Sequence, residues 1–424
     1  MNTRLNSLSK VALALVGVAG LALAAEPAQA QLALNGTGSS SGRQFAGNVP
    51  VEICATAPTP LLFVSSETIP NKYEWQCTVN GVGNARIRYS ATKSSDAFNN
   101  QPNAAVGTAV YLNVTTCPAG TPAMVRGRNV LRSVCPPSTP MQSLPVHWGG
   151  SDVAPSSFHQ ITFPSSGVGF PPPSSHLTVD PKVIVPFAIM VGADVRKMLP
   201  STKLATLTYQ EIYAIMAGNV TKWTDLGYDV VPSTPPDIFI CNRTSGSGAL
   251  AALDQTVRIP GGGPILYRTN QLNPTTTNMI SCINSHPNSI GYLDSDSVIP
   301  AIFPIGGAYQ IQIDGQPVNA GVPTGLAGLM ALRCGRYIYW TDWNLVTRMA
   351  GVEAAPVNAV AGTNAAIQAL GNFMATDNYL PNFNVLPDYW LSLNDTFVFK
   401  NQDSGPINWF SPSANGDPIK PTCD

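Results

Sequence analysis

Residues 237–257 read DIFICNRTSGSGALAALDQTV. Asp237 to Cys241 is a short apolar run of strand character, and Ala249 to Val257 is an Ala- and Leu-rich stretch of helix character. Between them lies Arg243-Thr244-Ser245-Gly246-Ser247-Gly248. Strand, glycine-serine turn and helix in that order is the repeating unit of α/β folds. The turn also carries chemistry. Glycines let the backbone reverse within a few residues, and the first N–H groups of the following helix have no intrahelical acceptor, so they can face an anion. Ser247 adds a hydroxyl donor and Arg243 a two-pronged guanidinium.

Working outward, two other places repeat this combination of glycine and hydroxyl groups. Gly36-Thr37-Gly38-Ser39-Ser40-Ser41-Gly42 follows the apolar Leu32-Ala33-Leu34, and Ser94-Ser95 follows the alternating strand Ala85 to Tyr89. A further segment, Gly149-Gly150-Ser151-Asp152, offers a carboxylate that can accept a proton from a protonated anion. Val183 to Val191 reads as a buried strand, and Ala365 to Met374 as a helix. Thr208 to Met216 is expected to be a helix capped by Thr208, with Glu211 three residues on and Ile212 and Ile215 on one face. Residues 97–145 are rich in Pro, Asn, Gly and Thr, and read as an inserted, disulfide-tethered excursion. Phe163 to Ser175 reads as a surface loop.

The first thirty residues read as a secretory signal peptide. Arg4 and Lys10 precede an apolar run from Val11 to Leu23, and Ala28 and Ala30 prepare a cut before Gln31. No Cys stands at the cut, so the expectation is a periplasmic or secreted protein without a lipid anchor. All eight cysteines lie beyond that segment and none forms a C-x-x-C pair, which points to disulfides. Cys117 and Cys135 are the nearest local pair to expect. Without Arg4, Lys10 and Glu26 the balance is 21 basic against 23 acidic residues, and only 11% of the chain is charged. Such a surface has no basic stripe for nucleic acid. The 424 residues, 44% of them hydrophobic, suffice for two lobes.

Leu207 to Leu226, LTYQEIYAIMAGNVTKWTDL, resembles a helix-and-turn segment of the phosphate-binding proteins of bacterial ABC importers. Ile215, Gly218, Trp223, Asp225 and Leu226 fall where that family has them. Ser289-Ile290-Gly291-Tyr292 is similar to the family's Ile-Gly-Tyr turn, and Val185-Pro186 to its entry into the second lobe. The resemblance implies a two-lobed periplasmic-binding-protein type II fold, each lobe a sheet flanked by helices. Lobe 1 would span residues 31–185, lobe 2 residues 186–335, and residues 336–424 would return to lobe 1 and add a C-terminal extension. It also implies a ligand set: Ser40 and the backbone of Ser41, Ser94, Asp152, Arg243, Ser247 and the Gly248 N–H. The ligand would be a small oxyanion, phosphate first, held by lobe closure and passed to importer membrane subunits, by a monomer without cofactor or metal. The sequence departs from the family's Arg-x-Asp-Gly-Ser-Gly-Thr at two places, Ser245 and Ala249, and has Lys93 where a glycine is usual.

Two other classes compete. Gly38-Ser39-Ser40-Ser41-Gly42 fits the G-x-S-x-G of a hydrolase nucleophile elbow, which would make Ser40 a nucleophile. His147, His159, His176 and His286 sit in no recognisable triad segment or metal-ligand spacing, so the expectation is no enzyme. A binding fold reused on the cell surface for adhesion or structure is the third class. Trp148, Trp223, Trp340, Trp343, Trp390 and Trp409 read as core residues, with Trp148 close enough to Asp152 in sequence to border a cleft.

Overall fold

A computed structural model describes residues 32–41, 43–55, 61–66, 71–103, 105–125, 127–158, 172, 174–198, 205–231, 237–257, 268–294, 307–316, 330–349, 363–374, 391–392, 398–401, 403 and 407–409. The chain opens with β1 (Leu32–Gly38) and α1 (Arg43–Ile53), then β2 (Leu61–Ser65), β3 (Lys72–Val79) and β4 (Gly83–Ala91). A short α2 (Asp96–Asn99) leads into β5 (Thr108–Leu112), β6 (Thr121–Val125), β7 (Arg128–Val134), β8 (Met141–Pro145) and β9 (Trp148–Ser151). The long β10 (Leu177–Val191) follows, then β11 (Thr206–Leu207), α3 (Tyr209–Met216), β12 (Phe239–Arg243) and α4 (Gly248–Thr256). Next come β13 (Gln271–Asn273), α5 (Thr276–Ser285), β14 (Ser289–Asp294) and β15 (Tyr309–Ile313). The last described elements are α6 (Met330–Arg333), β16 (Trp340–Arg348), α7 (Thr363–Met374) and the short β17 (Leu391–Ser392), β18 (Val398–Lys400) and β19 (Ile407–Trp409).

The architecture is the expected mixed α/β, a large sheet flanked by helices. Its order is β13-β12-β14-β10-β16-β9-β1-β4-β3-β2-β7-β6. Two strand groups meet on β10. Its residues 177–186 pair antiparallel with β16, 187–191 pair with β14, and 189–191 pair with β15 on the other side. The change of partners falls at Pro186, the last residue paired with β16. Proline has no N–H to give to a ladder, so a strand tends to change or lose a partner where it stands. Pro181 marks a second such place, where the register against β16 shifts between Pro181 and Val183.

In the first group β1 lies between β4 and β9, parallel to both. In the second, β12 lies parallel to β13 and β14. Parallel strands need a crossover, and their ends gather glycine turns and helix starts at one rim. Both glycine-serine turns of the sequence sit at such strand ends. The strand expected at Asp237 to Cys241 runs instead from Phe239 to Arg243, so the arginine itself is a strand residue. α3 carries the expected capping box, with the Thr208 hydroxyl accepting from Glu211 N and the Glu211 carboxylate accepting from Thr208 N.

Residues 97–145 do not stand apart as an excursion. β7 pairs parallel with β2, and β6 pairs with β7, so this stretch completes the edge of the main sheet; only β5 and β8 form a sheet of their own. The strand character was hidden because proline and exposed polar residues alternate with the few that pack inward. Cys117 and Cys135 are bonded, as expected, and Cys54–Cys77 and Cys241–Cys282 are two further disulfides. Cys241–Cys282 ties β12 to α5, the two elements that will carry Arg243 and Thr276. Most of Phe163 to Ser175, together with residues 1–31 and Trp390, lies outside the described residues. No helix among the described residues is long and apolar enough to cross a membrane.

Trp148, Trp223, Trp340 and Trp343 are core residues. Trp148 does not border a cleft: it is fully buried, stacked on Tyr89, and a Cβ on Gly36 would come within 2.2 Å of its ring.

Candidate functional site

The carboxylate of Asp152 is the centre of the arrangement. β9 ends at Ser151, and the next residue is buried at the rim where β1 and β4 also end. Gly38 closes β1 with φ +134°, and the Ser39 N–H donates to Gly150 O at 2.7 Å, which turns the chain across the end of β9. Ser39 Oγ donates to Asp152 Oδ1 by a short hydrogen bond, and Ser94 Oγ donates to Oδ2 at 2.9 Å. Burial pushes the Asp152 carboxyl up from 3.8 to about 6, against the lowering effect of Ser39 and Ser94. Asp294 adds a further upward push. At neutral pH the group is mostly ionised, yet it can share a proton within reach of physiological conditions.

The positive side comes from two arginines, both buried. Arg43, at the first turn of α1, donates from Nη1 to Ser40 O at 2.9 Å. Arg243 is held as a fork: Nε donates to Asn273 O at 3.1 Å, Nη2 to Pro274 O at 3.3 Å and Nη1 to Thr276 Oγ1 at 3.2 Å. Its backbone N–H donates to the Tyr292 hydroxyl at 3.1 Å and to Asn242 Oδ1 at 2.9 Å. Burial pulls the Arg243 guanidinium down, and Arg43 adds to this; Tyr292, Asp294 and Asp152 oppose it. The pair is therefore close enough to repel, and each cation is fixed by its own carbonyl acceptors.

A hydrogen bond of 2.9 Å between Ser40 Oγ and Thr276 Oγ1 joins the two strand groups, since Ser40 follows β1 and Thr276 opens α5. Ser95 N donates to Gly246 O at 3.1 Å across the same boundary. Gly246 needs its missing side chain, because its φ is +85° and a Cβ would come 2.3 Å from Ser95 Oγ. A Cβ on Gly248 would lie 2.2 Å from Ser94 Oγ and 2.5 Å from Asp152 Oδ2. The start of α4 is thus pressed onto the carboxylate and its serine.

Of the expected ligand set, Ser40, Ser94, Asp152, Arg243 and Gly248 are linked by these contacts. The Ser41 N–H is turned inward, donating to Ser39 Oγ at 3.0 Å. Ser247 is buried at the N-cap of α4, and its hydroxyl makes no cap bond to the helix backbone. Sequence reasoning passed over Ser39, Arg43, Ser95 and Thr276. Arg43 had a visible signal, a cation directly after the first glycine loop; Thr276 had none, since it lies 236 residues from Ser40. The hydroxyl of Ser40, the elbow candidate, is bonded to a threonine. The described histidines are engaged elsewhere: His147 Nδ1 accepts from Asn35 N, His176 Nε2 meets Gln101 O, and His286 stacks on Phe239. Cys241, Cys282 and His286 come within 4.8 Å of one another, but both sulfurs are spent in a disulfide and leave no thiolate for a metal.

No protein-family model and no curated protein matches the sequence. Solved structures do share similarity with it. A putative phosphate ABC transporter substrate-binding protein with bound phosphate from Clostridium perfringens is 12% identical, at a TM-score of 0.45, over 85% of this chain and 99% of that one. An ABC-type phosphate transport receptor from Vibrio cholerae is 9% identical at a TM-score of 0.39, over 82% of this chain and 95% of that one. A full-length OxyR variant from Pseudomonas aeruginosa is 11% identical at a TM-score of 0.37, over 88% of this chain and 81% of that one. Likeness at these identities and scores says nothing of what this chain binds.

Proposed function

We propose that this chain is an exported solute-binding protein that captures a small oxyanion between two lobes, hands it to an ABC-type importer, and performs no chemistry on it. The lobes would be residues 31–185 and 186–335, with residues 336–424 returning to the first. One observation carries the reading: two buried guanidiniums and hydroxyls of both strand groups, joined by the Ser40–Thr276 hydrogen bond, gather at the turn whose Ser39, with Ser94, bonds the buried Asp152 carboxylate. Their backbone acceptors hold the two guanidiniums in place without cancelling their charge, so two buried cations side by side favour an anionic guest. Ser40, Ser94, Ser247 and Thr276 supply hydroxyl donors of the kind an oxyanion needs, and the start of α4 supplies N–H groups.

Asp152 bears on which oxyanion. Hydrogen phosphate or hydrogen arsenate carries an O–H that can donate to this carboxylate, whereas sulfate brings only lone pairs against it. A missing hydrogen bond to a charged group costs about 1.5–3 kcal/mol, or roughly ten- to a hundred-fold in affinity. Phosphate over sulfate is the preference that follows. Entry requires the Gly248 end of α4 to part from Ser94 and Asp152, and β10, shared by both strand groups, is the element about which such a hinge would work.

Titration calorimetry of the purified protein with phosphate, arsenate, sulfate and a phosphonate tests the reading. Phosphate is expected to bind, sulfate at least tenfold more weakly, and Arg243→Lys to lose at least tenfold in phosphate affinity because an ammonium cannot hold the three-acceptor fork. Heat from none of the four anions would overturn it.

A further inference from the structure

The anion cluster does not end at its own donors. An open cavity of about 410 Å³ between the strand groups has Ser40 in its lining. Thr92 and Lys93, after β4, form one wall; Thr244, Pro274 and Thr275, from the loops after β12 and β13, form the opposite one. Ser40 belongs to both places, lining the cavity while its hydroxyl meets Thr276, which accepts from Arg243. The cavity therefore adjoins the anion donors at Ser40.

Its size exceeds what an inorganic oxyanion fills. The five heavy atoms of such an ion need on the order of 60–90 Å³, two to three water volumes at about 30 Å³ each. A space of 410 Å³ falls instead within the range of sites for small organic ligands. The lining limits what the organic part can be. Among the described residues no aromatic ring borders it, so there is no face on which a nucleobase could stack. Hydroxyl and amide groups of Ser66, Asn71, Thr92, Thr244 and Thr275 and the charged Lys72, Lys93 and Asp96 line it together with the apolar Ala91, Met141 and Pro274. Asp96 lies in the field of Lys93. The wall thus offers hydroxyl and amide groups with charge of both signs beside apolar surface, which suits the hydroxyls and carbons of a neutral polyol.

We propose that the solute is a phosphate monoester of a small polyol, its phosphoryl group held by the Ser40–Asp152–Arg243 cluster and its hydroxylated carbons lying in the adjoining cavity. This rests on the oxyanion reading above and narrows it. Capture then needs no burial of the whole ligand at the carboxylate.

Calorimetry with glycerol 3-phosphate, a hexose 6-phosphate, inorganic phosphate and free glycerol separates the two claims. At least one ester is expected to bind ten-fold or more tightly than inorganic phosphate, and free glycerol not at all. Met141 is 48% exposed on β8 and makes no side-chain hydrogen bond, so Met141→Trp can narrow the cavity without disturbing the core. That variant should cut the ratio of ester to phosphate affinity at least five-fold. Phosphate binding as tightly as every ester, or an ester preference untouched by Met141→Trp, would overturn this inference and leave the oxyanion reading standing. Binding of neither phosphate nor ester would sink both.

Discussion

Replacing Asp152 with Asn should flatten one part of the protein's stability profile against pH. In the folded chain burial raises this carboxyl from 3.8 to about 6, so the folded state holds its proton more tightly than the unfolded state does. The sign follows from linkage: wherever the folded state binds more protons, stability falls as pH rises. Below about pH 3 the group is protonated in both states and costs nothing; above about pH 7 it is charged in both, and the folded state bears the full burial penalty. A rise from 3.8 to about 6 corresponds to about 3 kcal/mol, an order-of-magnitude figure. The substituted amide cannot ionise, and the serine hydroxyls can turn to meet it. The stability of the native protein minus that of D152N should therefore fall by about 3 kcal/mol between pH 3 and pH 7. Urea denaturation followed by tryptophan fluorescence at half-unit pH steps, each protein compared at the same pH, measures that difference. Other raised carboxyls, Asp342 among them, drop out of the subtraction because both proteins carry them. Two curves that stay parallel across the window would show that Asp152 is not desolvated as the geometry requires.

Gly248→Ala should hold the two strand groups apart, since its Cβ would lie 2.2 Å from Ser94 Oγ; a larger radius in small-angle scattering and at least a tenfold loss in phosphate affinity are expected, and an unchanged radius would count against closure at this contact. Glu74→Gln should destabilise the first strand group by about 3 kcal/mol in urea, because Glu74 is 1% exposed and accepts from both Arg86 and Arg88, leaving the buried Arg88 without its charge partner. An unchanged midpoint would show that Asn35, the other acceptor of Arg88, suffices.

Local chemistry decided what could be read from the chain alone. The strand-turn-helix at Phe239–Thr256, the capped helix at Tyr209–Met216 and the Cys117–Cys135 bridge are all set by neighbours close in sequence, so spacing and residue type sufficed. Alternation failed at residues 97–145, where the strands are half exposed and interrupted by proline, and only pairing with β2 reveals that they belong to the main sheet.

The site divides in the same way. That glycine, serine and arginine stand at strand ends follows from local residue order and was legible in the sequence. That Ser39 and Ser94 share one carboxylate 113 and 58 residues away, and that Thr276 links Ser40 to Arg243, is a property of strand order. No spacing encodes it, because the parallel strands that bring these loops together are paired through crossovers of variable length. The size and lining of the cavity beside Ser40, which narrow the guest from any oxyanion to a polyol phosphate in our proposal, exist only once both strand groups are in place.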